Sequence, residues 1–292
     1  MSPSSRDYWP QFALLLVTVI WGWTFVLVKE GASELGPLSF LAWRFLVALL
    51  ALLLLLGPRL RRIGRKELLR GLWIGLALFA GYLFQTWGLL YTSATKSGFI
   101  TGLSVILVPL LSAAALKERV LGKGWLGAGL SAVGLGLILF GRGGTGEMAL
   151  NLGDLLTLLC ALSFALQIIL IGRFVNLENY PAILVIQIGL VFILSLAGAL
   201  MIERPTPAIS AHAWEAILVT GLFATALAFF LQNRFQPLST ATQTAIIFSA
   251  EPVFAGLFGY LLLGERLSGL QFLGAAAILG GITVSQLPLR AR

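Results

Sequence analysis

Cysteine and histidine each occur once in these 292 residues, and Asp and Glu together only twelve times. A lone Cys160 allows no intramolecular disulfide, and His212 leaves no Cys/His cluster to hold a metal. No His/Asp/Glu constellation and no Ser/His pair of the kind hydrolytic chemistry needs is present, so the chain does not read as an enzyme. The phosphate loop Gly-x-x-x-x-Gly-Lys is missing too, so direct ATP coupling is not expected, nor is any cofactor. Charged residues make up 11% of the chain, against ~25% in globular domains.

What fills the space is apolar. Hydrophobic residues reach 58%, gathered into ten runs over residues 11–28, 35–57, 71–95, 97–116, 124–141, 155–172, 179–202, 216–233, 235–264 and 267–289. A hydrocarbon core about 30 Å thick needs about 20 apolar helical residues to cross it, so the runs predict an all-α membrane protein with ten transmembrane helices. The loops are too short to fold separately. The first run, with the bulky Trp21-Gly22-Trp23 inside it, reads as a retained span rather than a cleaved leader.

The charge balance of +8 follows from topology. With the N-terminus inside, fourteen Lys and Arg fall on the cytoplasmic side and five outside, with Arg44 inside a span, so both termini are expected in the cytoplasm of a bacterial-type inner membrane. The basic run 59–70 then faces anionic lipid headgroups. No aromatic residue interleaves it, so no nucleic-acid partner is expected.

The two halves echo each other. Pro109 matches Pro252 at a spacing of 143, together with Ser97 on Thr240 and Thr101 on Thr244. The Glu118-Arg119 and Glu265-Arg266 pairs, and Leu126-Gly127-Ala128 with Leu273-Gly274-Ala275, match at 147. Five spans per half put the second half upside down. Segments 1–142 and 150–292 are therefore read as two inverted five-helix repeats, an arrangement that lets one structure open to either side.

Trp21-Gly22, Arg44-Phe45, Pro109 with Lys117-Glu118-Arg119, Glu251-Pro252-Val253-Phe254 and Leu263-Gly264-Glu265-Arg266-Leu267 resemble the EamA-type members of the drug/metabolite transporter superfamily, over residues 11–287. The resemblance implies ten helices in two repeats and transport, with exporters of amino acids and other metabolites among the members.

Inside the spans, Glu251 lies about 20 Å from the start of its helix, near mid-membrane. A carboxylate there costs about 2.5–3.5 kcal/mol unless paired, hydrated or protonated. It is either a proton-coupling or substrate-amine site, or a carboxyl that pins a kinked helix. Arg44, about 10 Å past Pro37, holds a substrate carboxylate, pairs with a carbonyl or Glu251, or snorkels to the interface. Trp21, Thr24, Tyr82, Gln85, Phe248 and Phe254 complete a candidate binding set, with Phe248, Glu251 and Phe254 on one helical stripe. Pro109 and Pro252 are the candidate hinges. Glu118 and Glu265 are expected in interfacial salt bridges, and His212 in an outer loop.

The composite expectation is an exporter of small amphipathic metabolites such as amino acids, working by alternating access, either by proton antiport through Glu251 or by facilitated diffusion, with lipid around it, as a monomer or homodimer. A lipid carrier or scramblase and a membrane-embedded lipid-modifying enzyme are the competing readings.

Overall fold

The structure, a computed structural model, describes residues 8–60, 63–114, 120–140, 151–203, 209–263 and 268–287. The Glu118-Arg119 and Glu265-Arg266 pairs lie outside them. The described residues form helices and no strand: α1 (Trp9–Leu35), α2 (Pro37–Leu56), α3 (Arg65–Gly88), α4 (Ala94–Gly102), α5 (Ser104–Ala114), α6 (Gly122–Phe140), α7 (Leu152–Phe174), α8 (Tyr180–Ile202), α9 (Ala211–Gly221), α10 (Ala228–Phe235), α11 (Ala241–Phe248), α12 (Glu251–Leu263) and α13 (Gly269–Gln286). On length and hydropathy, seven helical stretches can cross a membrane, and eight when α1, bent by 51°, is taken as one span. Helix α6 and the interrupted α11–α12 pair overlie the other two apolar runs.

Helix boundaries follow the local chemistry. Pro10 and Pro37 sit in the first turns of α1 and α2, where a missing N–H costs nothing. Gly36 separates the two helices at φ 85°, a left-handed conformation that a Cβ would strain. The free N–H groups of α2 then find an anion. Glu203, at the far end of α8, accepts from Leu38 N at 2.9 Å, Ser39 N at 2.8 Å and Ser39 Oγ at 2.8 Å.

Two of the long apolar runs are broken mid-course. Helix α4 hands over to α5 at Leu103, and α11 hands over to α12 at Ser249-Ala250. Neither break is at a proline. Pro109 lies inside α5, six residues past its break, and Pro252 occupies the first turn of α12, where its ring displaces no hydrogen bond. Between α9 and α10, Leu222–Leu227 is π-helical, and Thr225 Oγ1 donates to Thr220 O, five residues back, at 2.9 Å.

Helix starts recur along the chain at two spacings. The N-caps of α4 and α11 (Ser93, Thr240) and the first residues of α5 and α12 (Ser104, Glu251) stand 147 residues apart. The N-caps of α1 and α7 (Tyr8, Asn151) stand 143 apart. Pro109 and Pro252, 143 residues apart, do not share the spacing of 147 that relates the helix starts on either side of each break. Ser/Thr caps, which fix where a helix starts, are the better markers.

Helix α2 packs on α8, α3 on α7 and α8, and α6 on α13. The α6–α13 contact is the tightest. A Cβ on Gly134 would stand 2.5 Å from Gly274 O, and one on Gly274 would stand 2.6 Å from Gly134 O. Gly127 and Gly281 meet in the same reciprocal way, at 2.8 and 2.6 Å, so the helices run antiparallel with backbone against backbone.

Gly134→Val is expected to destabilise by about 1–3 kcal/mol through overpacking, read as a lower Tm in detergent. Gly136→Ala, one turn-half away with nothing within 4 Å of its new methyl, is expected to leave Tm unchanged or raise it.

Candidate functional site

Where α1, α2, α3, α7, α10, the α4–α5 junction and the α11–α12 break converge, the bundle holds a small, partly open cavity of roughly 60 Å³. Five aromatic residues, Trp21, Tyr82, Phe164, Phe229 and Phe248, share its wall with polar side chains. Trp21 stands between Phe248 and Phe229, with ring centroids at 5.1 and 5.8 Å, and its Nε1 donates to Ala224 O at 2.9 Å. Tyr82 meets Phe164 at 5.4 Å and Phe229 at 6.1 Å. These tilted and edge-on contacts pack the rings against one another along the cavity wall, and aromatic faces in such a wall attract cations.

Arg44, on α2, is buried and held by the protein itself. Its Nε donates to Thr225 Oγ1 at 2.7 Å, and Nη2 donates to Tyr82 Oη at 3.3 Å and to Ala224 O at 3.5 Å. The guanidinium carbon lies 4.7 Å from the centre of the Tyr82 ring. The π-helical stretch makes this possible, because the widened turn presents both Ala224 O and the Thr225 hydroxyl to α2. Arg44 therefore does not snorkel, and no ion pair with Glu251 forms among the described residues.

Glu251 is the contrasting case. It opens α12 immediately after the break, lines the cavity, and is only partly buried. Its carboxylate has no hydrogen bond or ion pair among the described residues. An acid in a largely apolar span is costly to keep charged unless it is paired, hydrated or protonated, and here it shares the cavity wall with aromatic residues.

Amides and hydroxyls mark the two ends of the cavity. Gln85 Nε2 donates to Thr101 Oγ1 at 3.4 Å, and Thr101 lies 3.8 Å from Cys160 Sγ. Towards the other end, Gln232 Nε2 donates to Gln167 Oε1 at 3.2 Å and Gln236 Oε1 at 2.9 Å, and Gln236 Nε2 donates to Ile168 O at 2.6 Å.

Trp21, Thr24, Arg44, Tyr82, Gln85, Phe248 and Glu251 thus all line one cavity. Phe254 does not. The break at Ser249-Ala250 resets the helical phase, so the stripe drawn through Phe248 and Phe254 is not one face, and Phe254 packs against the apolar cluster that includes Val105, Ile246 and Ala250. Phe164 and Phe229 were not foreseen. A signal existed: Phe164 stands 143 residues after Trp21, and Phe229 stands 147 after Tyr82. His212 lies on α9 against Glu30 at 3.0 Å, rather than in a loop.

Known proteins share this fold and sequence. A solved crystal structure covering 96% of this chain, and 97% covered by it, superposes with a TM-score of 0.78 at 19% identity, a likeness of fold. An uncharacterized transporter of Archaeoglobus fulgidus is 35% identical over 282 residues, which is 97% of this chain and 87% of that protein. Proteins described as probable amino-acid metabolite efflux pumps are 32% identical in Escherichia coli K12, over 95% of both chains, and 28% identical in Salmonella typhimurium, over 96% of both. The names point to transporters rather than enzymes. Residues 9–140 and 151–286 each match the EamA-like transporter family, and this chain, an integral membrane protein, belongs to that family.

Proposed function

We propose that the chain exports small amine-bearing metabolites, amino acids or their amphipathic relatives, across the bacterial inner membrane by alternating access, with Glu251 exchanging a proton for the substrate's ammonium. The observation that carries this reading is the Glu251 carboxylate, without a partner among the described residues, in the wall of an aromatic cavity whose cation, Arg44, is held by Thr225, Tyr82 and Ala224. One carboxylate cannot hold a proton and an ammonium together, so loading one releases the other. The relatives named as amino-acid metabolite efflux pumps support the substrate class.

The proposed frame is ten spans in two inverted halves, residues 1–142 and 150–292, with both termini cytoplasmic. Three things support it. The family matches the chain twice. The antiparallel seam pairs Gly127 with Gly281 and Gly134 with Gly274, as a two-fold relation between α6 and α13 requires. Gly75 of α3 abuts the backbone of Gln187 on α8, and Gly221 of α9 abuts the backbone of Arg44 on α2, at spacings of 146 and 143 between the two sets. The excess of Lys and Arg at one end supports the orientation. One chain contains the whole cavity, which supports a monomer as the working unit.

In proteoliposomes, Glu251→Gln is expected to cut proton-driven amine transport by at least about tenfold and to flatten its dependence on pH, through loss of an interaction worth ~1–2 kcal/mol or more. Retained pH dependence in this variant would sink the coupling role.

Arg44→Lys separates wall from ligand. Lys cannot reproduce the donors to Thr225 and Tyr82, and each buried partner left unsatisfied costs about 1–3 kcal/mol. The expected result is a lower Tm and equal losses for phenylalanine and for phenethylamine, which lacks the carboxylate. A loss confined to phenylalanine would mean that Arg44 reads the substrate's carboxylate.

A further inference from the structure

A second carboxylate, outside the cavity, is built around an ammonium group. Asp154 is the third residue of α7, with a side chain 2% exposed. Its Oδ2 meets Lys96 Nζ at 2.7 Å and accepts from Asn151 N at 2.9 Å, while Oδ1 accepts from Thr92 Oγ1 at 2.9 Å. Lys29 of α1 donates to Thr92 O at 3.2 Å, joining a third helix to the cluster.

Capping does not require this charge. Lys96 is the third residue of α4, and at the opposite end of the bundle the third residues of α1 and α11 are Gln11 and Gln243. Gln243 closes its capping box with Thr240 and donates to Ser285 O at 3.2 Å with a neutral amide, and Gln11 Oε1 is buried with no partner among the described residues. The same positions that carry amides at one end carry an ammonium and a carboxylate at the other. A buried ion pair gains little net stability over uncharged packing, so its presence at these positions at one end, with amides at the other among the described residues, asks for another explanation.

The seam beneath it supplies one. Asp154, Thr157 and Cys160 follow at three-residue steps on α7, opposite Lys96, Ser97 and Thr101 on α4. Ser97 Oγ lies 3.5 Å from Thr157 Oγ1, and Thr101 lies 3.8 Å from Cys160 Sγ while also lining the cavity. A strip of hydroxyls thus leads from the cavity wall to Asp154, at the end of the bundle that carries Gly36.

We propose that Asp154 is a second ammonium-binding carboxylate at the outer end of the transport path, which Lys96 fills as a tethered stand-in for the substrate's amine while that end is closed. This rests on the reading that the substrate bears an amine. The substrate leaving Glu251 exchanges for the Lys96 ammonium one for one. Asp154 is never left as an uncompensated buried anion, the state that makes breaking such a pair costly.

Equilibrium dialysis of radiolabelled phenethylamine against the purified full chain in detergent counts the sites. Wild type is expected to bind one amine, at Glu251, and Lys96→Met to bind two. Lys96→Met/Asp154→Asn and Lys96→Met/Glu251→Gln should each return to one. Lys96→Gln, which keeps a neutral hydrogen bond to Asp154, serves as the second variant should Lys96→Met fail to fold. A purely structural pair would lower Tm in the Lys96 variants without adding a site, and that count overturns the proposal. If instead wild type binds none while Lys96→Met gains one, the Glu251 reading fails and the Asp154 site stands.

Discussion

Hydrocarbon offers no hydrogen bonds, and this requirement that every polar group find its partner within the protein governs the structure at each scale. Backbone groups are answered inside helices, and helix ends by side chains brought from elsewhere, as Glu203 of α8 answers the start of α2. The π-helical turn between α9 and α10 frees a carbonyl and a hydroxyl, and Arg44 takes both. Gln187 Nε2 is answered by Asn233 Oδ1 at 2.8 Å, while Gln187 Oε1 is one of the few buried polar atoms left without a partner among the described residues. Against that background the carboxylate of Glu251 stands out, because the surrounding helices leave it to the cavity.

The same requirement explains how much could be read without coordinates. Long apolar runs must be helices, so the elements were legible to within a few residues. Trp21, Tyr82, Gln85 and Glu251 were legible as cavity residues because polar or amphipathic groups deep in a span are costly to keep elsewhere. Phe164 and Phe229 were not, since a phenyl ring suits lipid, core and cavity equally, and only spacing relative to Trp21 and Tyr82 distinguishes them. Arg44's partners were hidden for a different reason. They depend on a local widening of a helix that leaves no pattern in Leu222–Leu227 beyond ordinary apolar residues.

Phe254 and the prolines share one cause. Helical stripes and kink assignments assume an unbroken helix, whereas residues 241–263 form two, divided at Ser249-Ala250. Past the break, every side chain faces a new direction, and Pro252 becomes a helix-starting residue. The caps Ser93 and Thr240 mark helix starts more sharply than the prolines do, because a hydroxyl that accepts a third-residue N–H has one geometry and a proline has several.

The seam between α6 and α13 has a consequence for mechanics. Side chains between most helices act as compliant spacers that rotate, slide and exchange rotamers. At Gly127, Gly134, Gly274 and Gly281 there is no spacer, and carbonyl oxygens face the opposing backbone directly. Two rods in contact at two such points behave as a single beam, stiff against sliding and against twist. Deformation in the rest of the bundle is then directed to where backbone hydrogen bonding is already interrupted, at Leu103 and at Ser249-Ala250, the latter immediately before Glu251.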